Sequence, residues 1–526
     1  MPAITKVVLR NFKRFDKLDL LLKPGLNVLL GDNEAGKSSV LLAIDLALSA
    51  SRSKIESLGV EALLNAAAVD RFMGSRRLVA DLPKMLVEIF LTEGTDPSLN
   101  GRNNVDGREC DGIKLEIAVP RELEDEVKEL LQDPDAPFPF EYYAPRFATF
   151  AEDSQIAFKK HVRHLLLDSS RIDSEQATRV YTQSLFSVNA DARARSRLES
   201  SYRKAKDEFR DAHLKEINEA LTDYTFGVRT SSKTNLGTDL VILEDQLPLD
   251  VRGKGRQCLV KTSFALRRGG EGTQPLHLLL LEEPENHLSH SHMRKLVERL
   301  SQAEGRQLLV ATHSSMICSR LDLRKAALLG TEPSKRGALS DLSESTSKFF
   351  MKAPDNNVLQ FVLSKKVILV EGDAEFILFE ELYAKHAKGS TLAEDGVHVI
   401  SVGGTSFKRY LELARLLGVR VAVVRDNDKH WQKNCVDNYA EFRMDNARVF
   451  ADPDDARSTF EVCLYEDNKA LCDRLFGTSR KSLSVLDYML ANKADVAFEL
   501  LDKGASELRA PKYIQDAIDR KSTRLN

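Results

Sequence analysis

The octet Gly31-Asp32-Asn33-Glu34-Ala35-Gly36-Lys37-Ser38 constrains the fold more than any other stretch, because of what brackets it. An apolar run, Leu26 to Leu30, precedes it, and an amphipathic run, SVLLAIDLAL, follows. A G-x-x-x-x-G-K-[ST] turn between a strand and a helix wraps backbone N–H groups around phosphates, adds a lysine point charge and offers a hydroxyl to Mg²⁺. Alternating strands from Ile4 to Leu30, broken at Pro24-Gly25, lead into it. The chain therefore begins as an α/β nucleotide-binding fold.

The partner half of such a site is an apolar strand ending in carboxylates, and Leu278-Leu279-Leu280-Leu281-Glu282-Glu283-Pro284-Glu285 has that form. Glu282 is expected to face the metal and Glu283 an attacking water. Thr312-His313-Ser314 follows the next apolar run, placing His313 where it could sense a γ-phosphate. The expected cofactor is ATP, held by Gly31, Asn33, Gly36, Lys37, Ser38, Ser39, Glu282 and His313, with Ser38 on the cation.

With 526 residues the chain is long enough for two to four domains, and 42% hydrophobic with 29% charged residues is the composition of a globular protein. No apolar run approaches the ~18 residues of a membrane helix, and the N-terminus lacks a secretory pattern, so a cytoplasmic address without membrane contact is expected. Six cysteines show no C-x-x-C pair, which argues against a zinc ribbon or disulfide framework. A net charge of −3 excludes a wholly basic nucleic-acid coat but leaves room for a local basic groove.

Phe158 to Tyr224 carries helical spacing and heavy charge, which predicts an inserted helical hairpin. Its cations, among them Lys159, Lys160, Arg163, Arg203 and Arg210, are interleaved with acids, as on a solvated helix face. Strand patterns return at Leu240–Leu243, His277–Leu281 and Gln307–Ala311, and the Ser/Lys/Pro-rich stretch Thr331–Asn357 suits a linker. The predicted domains are 1–157 and 226–357 as two parts of an ATPase, 158–225 as the insertion, and 358–526 as a second α/β unit.

In that second unit the strand pattern Val367-Ile368-Leu369-Val370 runs into Glu371-Gly372-Asp373-Ala374-Glu375, and Val421-Ala422-Val423-Val424 into Arg425-Asp426-Asn427-Asp428. Carboxylates at the C-terminal ends of such strands project into an open crevice. Alternation along an extended segment would let Asp426 and Asp428 point the same way. Converging carboxylates repel one another unless divalent cations neutralise them, and an oxygen-only ligand set favours Mg²⁺ or Mn²⁺. Two such ions can clamp the attacking and leaving oxygens of a phosphodiester, so the pattern reads as phosphoryl-transfer chemistry.

The first constellation, with its opening KVVLRNFKRFDKLDL, the octet, EEPENHL and ATH, resembles the ABC-type ATPases of the RecF/SMC-like branch. The second resembles the Toprim domain, and the two joined resemble the OLD (overcoming lysogenization defect) family of nucleases. Further marks are Gly403-Gly404, Ser458-Thr459-Phe460-Glu461 and Lys493. The stretch Arg252-Gly253-Lys254-Gly255-Arg256-Gln257 stands where the ATPases carry their signature, without its usual serine.

The resemblance implies a metal set of Glu371, Asp426, Asp428 and Glu461 with Glu375 assisting, and Lys493 stabilising charge at the scissile phosphate. It implies a DNA endonuclease regulated by ATP, acting in antiphage defence as a homodimer or higher homo-oligomer, beside a helicase or other defence-system partner. The alternative is a RecF/SMC-like DNA-binding ATPase with a non-cleaving Toprim half.

Overall fold

The structure, a computed structural model, describes residues 2–153, 161–169, 179, 181–183, 185–186, 190, 192–219, 224–229, 236–266, 276–302, 305–330, 332, 335–353, 357–387, 389–477 and 483–522. They form two compact units, Met1–His313 with Lys325–Arg336, and Ser314–Arg324 with Gly337–Asn526.

The first unit has two sheets. One is antiparallel, with Phe15–Leu21, Ile4–Phe12, Met85–Leu91, Cys110–Ala118 and Asn100–Gly101 in spatial order, and Ala144–Thr149 also paired with Cys110–Ala118. The other is parallel, in the order Ala326–Leu328, Leu26–Leu30, Gln307–Ala311, Leu278–Glu282, His164–Asp168. The parallel strands are buried on both faces, which is why they read as unbroken apolar runs rather than as alternation. Helix Lys37–Ser49 packs against strands of both sheets, so its buried residues (Val40, Leu41, Ala43, Ile44, Leu46, Ala47, Leu48) are not confined to one stripe.

The predicted insertion begins too early. His164–Asp168 is an edge strand of the parallel sheet, with Leu166 opposite Leu280. Three leucines between a histidine and an aspartate are too short a run to signal a strand without its partner. Lys159 and Lys160 lie outside the described residues, while Ala192–His213 forms the long charged helix expected, with Leu198 and Phe209 exposed. The predicted strand Leu240–Leu243 is reduced to a hairpin of Leu243–Glu244 with Leu247–Pro248.

The second unit is a four-stranded parallel sheet in the order Val397–Ser401, Lys366–Val370, Arg420–Val424, Ala447–Phe450. Helix Asp373–His386 packs on Lys493–Gly504 and Lys512–Ser522, closing a core that includes Phe379, Phe460, Phe476 and Ile514. From Gly337 on, the described residues of the predicted linker are largely helical and belong here. Ser343 caps Glu344–Lys352 by accepting from Thr346 N–H, and that helix buries Thr346, Ser347 and Phe350. The boundary therefore falls at Arg336/Gly337 and not at Asn357. Polar composition suggested a linker, but a capped turn anchored by one buried phenylalanine outweighs it.

All six cysteines are free; five are buried and Cys110 is partly exposed. Among the described residues no helix is long and apolar enough to cross a membrane.

Candidate functional site

Strand register sets the first site. Glu282 lies opposite Ala311, and Ala311 opposite Leu29, so the phosphate loop, Glu283 and Thr312-His313 all leave the parallel sheet at one edge. Gly36 has φ +91°, and a Cβ there would lie 2.5 Å from the Phe15 ring and 2.7 Å from Arg14 Cδ, so only glycine closes the loop. Lys37 is buried, its Nζ donating to the carbonyls of Gly31 (2.7 Å) and Asp32 (3.0 Å). Asn33 and Ser38 face solvent, whereas Ser39 is buried in the helix. The loop thus keeps an ammonium and a helix N-terminus without a side-chain cap where anionic oxygens would sit, which fits a nucleotide's phosphates.

Glu283 takes φ +43°, a conformation rare for a side-chain-bearing residue. Its carboxylate accepts from Asn286 Nδ2 (2.9 Å) and stands 3.1 Å from His313 Nδ1. Glu285, which sequence reasoning passed over, is buried; its Oε1 accepts from Thr312 Oγ1 and from His313 N–H (3.2 Å). Its Oε2 has no hydrogen-bond partner among the described residues, and burial pushes the carboxyl above its usual range. The signal was its place two residues after Glu283, masked by resemblance to an ordinary acidic first helical turn.

The signature-like stretch opens helix Lys254–Leu266, where Arg256 forms a bidentate ion pair with Glu244 and Gln257 Nε2 donates to the carbonyls of Asp250 (3.1 Å) and Arg252 (2.8 Å).

The second site stands on the C-terminal edge of the second sheet. Glu371 follows its strand directly, and Gly404, at φ +115°, brings its N–H to within 2.9 Å of the Glu371 carbonyl. Glu375, on the first turn of Asp373–His386, is buried. Asp426 N–H donates to Glu371 Oε2 (3.3 Å), and Asp426 Oδ1 accepts from Phe460 N–H (2.8 Å) at the start of helix Phe460–Asp467. Glu461, the next residue, is 3% exposed and pairs at 2.9 Å with Nζ of Lys493, the first residue of Lys493–Gly504.

Four carboxylates therefore share one crevice with one ammonium. Burial first, then Glu375, Glu371 and Glu461, push Asp426 up to about 8. Burial, then Glu461 and Glu371, push Glu375 up to about 7. Mutual repulsion among buried oxygen donors is the electrostatic profile of a divalent-cation site, and the donor set suits Mg²⁺ or Mn²⁺. Among the described residues, however, no three carboxylate, imidazole or thiol side chains are drawn together as a formed metal cage.

Asp428 is not brought into the crevice. The strand ends at Val424, Asp428 takes φ +51°, and its Oδ2 pairs at 2.9 Å with Arg425, so the expected alternation does not run to this residue. Arg425 is itself buried, donating also to the carbonyls of Asp426 (2.8 Å) and Asn434 (3.2 Å). Between the two aspartates, Asn427 is 1% exposed and its amide donates to the carbonyls of Asp452, Asp454 and Arg457. Tyr513, also missed, is buried near the acids; burial, then Cys463, Asp426, Glu375 and Glu461, drive its hydroxyl well above its usual range. No local pattern marks it, since it lies far along the chain on an amphipathic helix.

The family described as "Overcoming lysogenization defect protein-like, TOPRIM domain" matches residues 362–428. The family described as "AAA domain, putative AbiEii toxin, Type IV TA system" matches residues 26–319, more than half of the chain. The chain belongs to this AAA-domain family and carries an OLD-like Toprim domain. Endonuclease GajA of Bacillus cereus (strain VD045) is 27% identical to this ATPase–Toprim chain over 155 residues, 29% of this chain and 26% of that protein. DNA replication and repair protein RecF of Edwardsiella ictaluri (strain 93-146) is 50% identical over 42 residues, 8% of this chain and 12% of that protein. The chain thus spans 26% and 12% of the length of these curated relatives.

Among solved structures, the C-terminal region of the Burkholderia pseudomallei OLD protein is 20% identical, with 30% of this chain and 97% of that one covered at a TM-score of 0.25. The recombination mediator protein RecF is 14% identical, with 60% and 92% covered at a TM-score of 0.31.

Proposed function

We propose that the ATPase–Toprim chain is an ATP-regulated, metal-dependent DNA endonuclease of antiphage defence, cleaving in its Toprim unit. The observation that carries this reading is the convergence of Glu371, Glu375, Asp426 and Glu461 beside Lys493 at a parallel-sheet edge. Glu371, Asp426 and Glu461 are the residues that would hold Mg²⁺ or Mn²⁺, with Glu375 assisting; Asp428 joins them only by leaving Arg425. When bound, a pair of such ions supplies charge stabilisation to the attacking and leaving oxygens of a phosphodiester. Lys493, already paired with Glu461, stabilises negative charge at the scissile phosphate. That the Bacillus cereus relative is an endonuclease by name supports the same reading.

In the ATPase unit, Lys37 would exchange its loop carbonyls for ATP phosphates, Ser38 and Glu282 would hold the accompanying cation, and Glu283, with His313 at its side, would orient a water. ATP then biases which conformation the Toprim unit adopts. The protein works in the cytoplasm as a homodimer or higher homo-oligomer, beside a helicase or other defence-system partner.

One observation favours a second reading, a RecF/SMC-like DNA-binding ATPase whose Toprim half does not cleave: the acids do not form a ready cage. Incubating the purified chain with plasmid and Mg²⁺ or Mn²⁺, with and without ATP, decides between them. Nicked or linear product that disappears in Asp426→Ala, with a changed nucleotide response in Lys37→Ala, is expected. No cutting under any condition discards the nuclease and leaves the clamp.

A further inference from the structure

The Toprim unit holds a cavity of about 500 Å³ beside its edge strand Ala447–Phe450 that the acid chemistry does not use. Trp431, Tyr439 and Phe442 line it together with Cys435, and the exposed Arg443 and Arg448 line it against a single acid, Asp445. More cations face its rings: Arg415 lies 5.1 Å from the Phe442 centroid, and Lys408 lies 5.8 Å from that of Tyr439. Aromatic faces interleaved with guanidinium groups stack unpaired nucleobases and hold their phosphates, and the volume is that of a small-ligand pocket.

The cavity wall is bonded to the acidic loop. Gln432–Val436 is wound as a π-turn, a rare form that recurs at functional sites. From it Cys435 Sγ donates to the Asp426 carbonyl (3.8 Å) and Asn434 Nδ2 to the Asn427 carbonyl (2.9 Å). Trp431 follows Asp426 by five residues, at most about 18 Å of chain, so a strand crossing the acids reaches the cavity within a few nucleotides.

Resting on the nuclease reading above, we propose that this cavity receives an unpaired nucleobase of the substrate strand, a few nucleotides from the bond to be cut. The substrate must then be single-stranded or locally opened there.

Trp431 is the only tryptophan in the chain, so the cavity carries its own reporter. Titrating the full chain in EDTA with an oligodeoxythymidylate is expected to quench Trp431 fluorescence saturably. In parallel, anisotropy of a dye-labelled oligonucleotide is expected to show roughly ten-fold weaker binding for Arg443→Ala/Arg448→Ala, with a salt slope lower by about 0.7 for each phosphate no longer neutralised. Phe442→Ala weakens binding similarly, and wild-type melting of each variant shows that it is folded. Three results overturn the proposal: binding by anisotropy without any quench, equal quenching by fully paired duplex, or equal quenching by dTMP at the same concentration. Because nothing is cut in EDTA, plasmid cleavage without quenching removes the cavity alone, and quenching without cleavage removes the nuclease alone.

Discussion

Asp426 is the residue on which the two halves of the acidic site meet. It touches Glu371 through its own N–H, takes the N–H of Phe460 on its carboxylate, and feels the buried carboxylates of Glu375 and Glu461 besides. An ionised group in that position opposes folding unless a cation offsets it. Pushed up to about 8, the folded carboxyl must take up a proton at neutral pH that the unfolded chain does not hold; Asp426→Asn keeps the oxygen that accepts from Phe460 and needs no such proton, so in EDTA at neutral pH its melting temperature is expected to exceed that of the wild type by several degrees. Added Mg²⁺ should raise the wild-type value and leave the variant nearly unmoved, since only a ligand that prefers the folded chain stabilises it. Differential scanning calorimetry of both proteins with and without metal measures this. A variant less stable than the wild type in EDTA would mean that these acids do not repel one another in solution.

At the level of elements, the stretch Ser314–Arg324 is joined to helix Glu344–Lys352 by Arg320, which donates to the Met351 carbonyl (3.1 Å), and by the carboxylate of Asp322. Asp322 accepts from Ser347 Oγ (2.6 Å) and from the backbone and guanidinium of Arg324. Burial works against its ionised form, but the hydrogen bonds of Arg324 and Ser347 outweigh it and hold the pKa at about 2. A carboxyl depressed in the fold adds stability above its unfolded value of 3.8 and loses it as pH falls toward 2. Discounted for solvent screening, Asp322→Asn is expected to cost about 1–2 kcal/mol at pH 6, and the gap from wild type to close by about half at pH 3. Urea midpoints across that range measure it.

The same helix shows where pattern reading stops. Glycine spacing, leucine runs and acids after strands are local signals, so the phosphate loop, Gln307–Ala311 and Lys366–Val370 were legible to the residue. His164–Asp168 and Glu344–Lys352 owe their form to distant partners, Leu278–Glu282 and the packing of Phe350, which no short window contains. In the site, strand-end acids were legible, whereas Glu285, Arg425 and Tyr513 gain their standing from burial. Asp428 was misread because the strand period was carried four residues past the last paired residue, Val424.

At the scale of the whole molecule, two candidate sites hang from two parallel sheets, each at the C-terminal edge of its strands. If nucleotide bound in the first unit controls the second as proposed, a change in the distance between them is the expected sign of it. The thiol inventory makes that measurable without engineering. Cys110 is the most exposed of the six cysteines and sits in the first unit, while the lone indole, Trp431, sits in the second. A maleimide dye that absorbs indole emission, attached slowly because burial raises the Cys110 thiol above its usual range, turns the native chain into a spectroscopic ruler. Energy transfer that shifts when ATP is added to the wild type and stays constant in Lys37→Ala would report the motor's message in transit; an unchanged signal in both would mean that the message travels without a change in this distance.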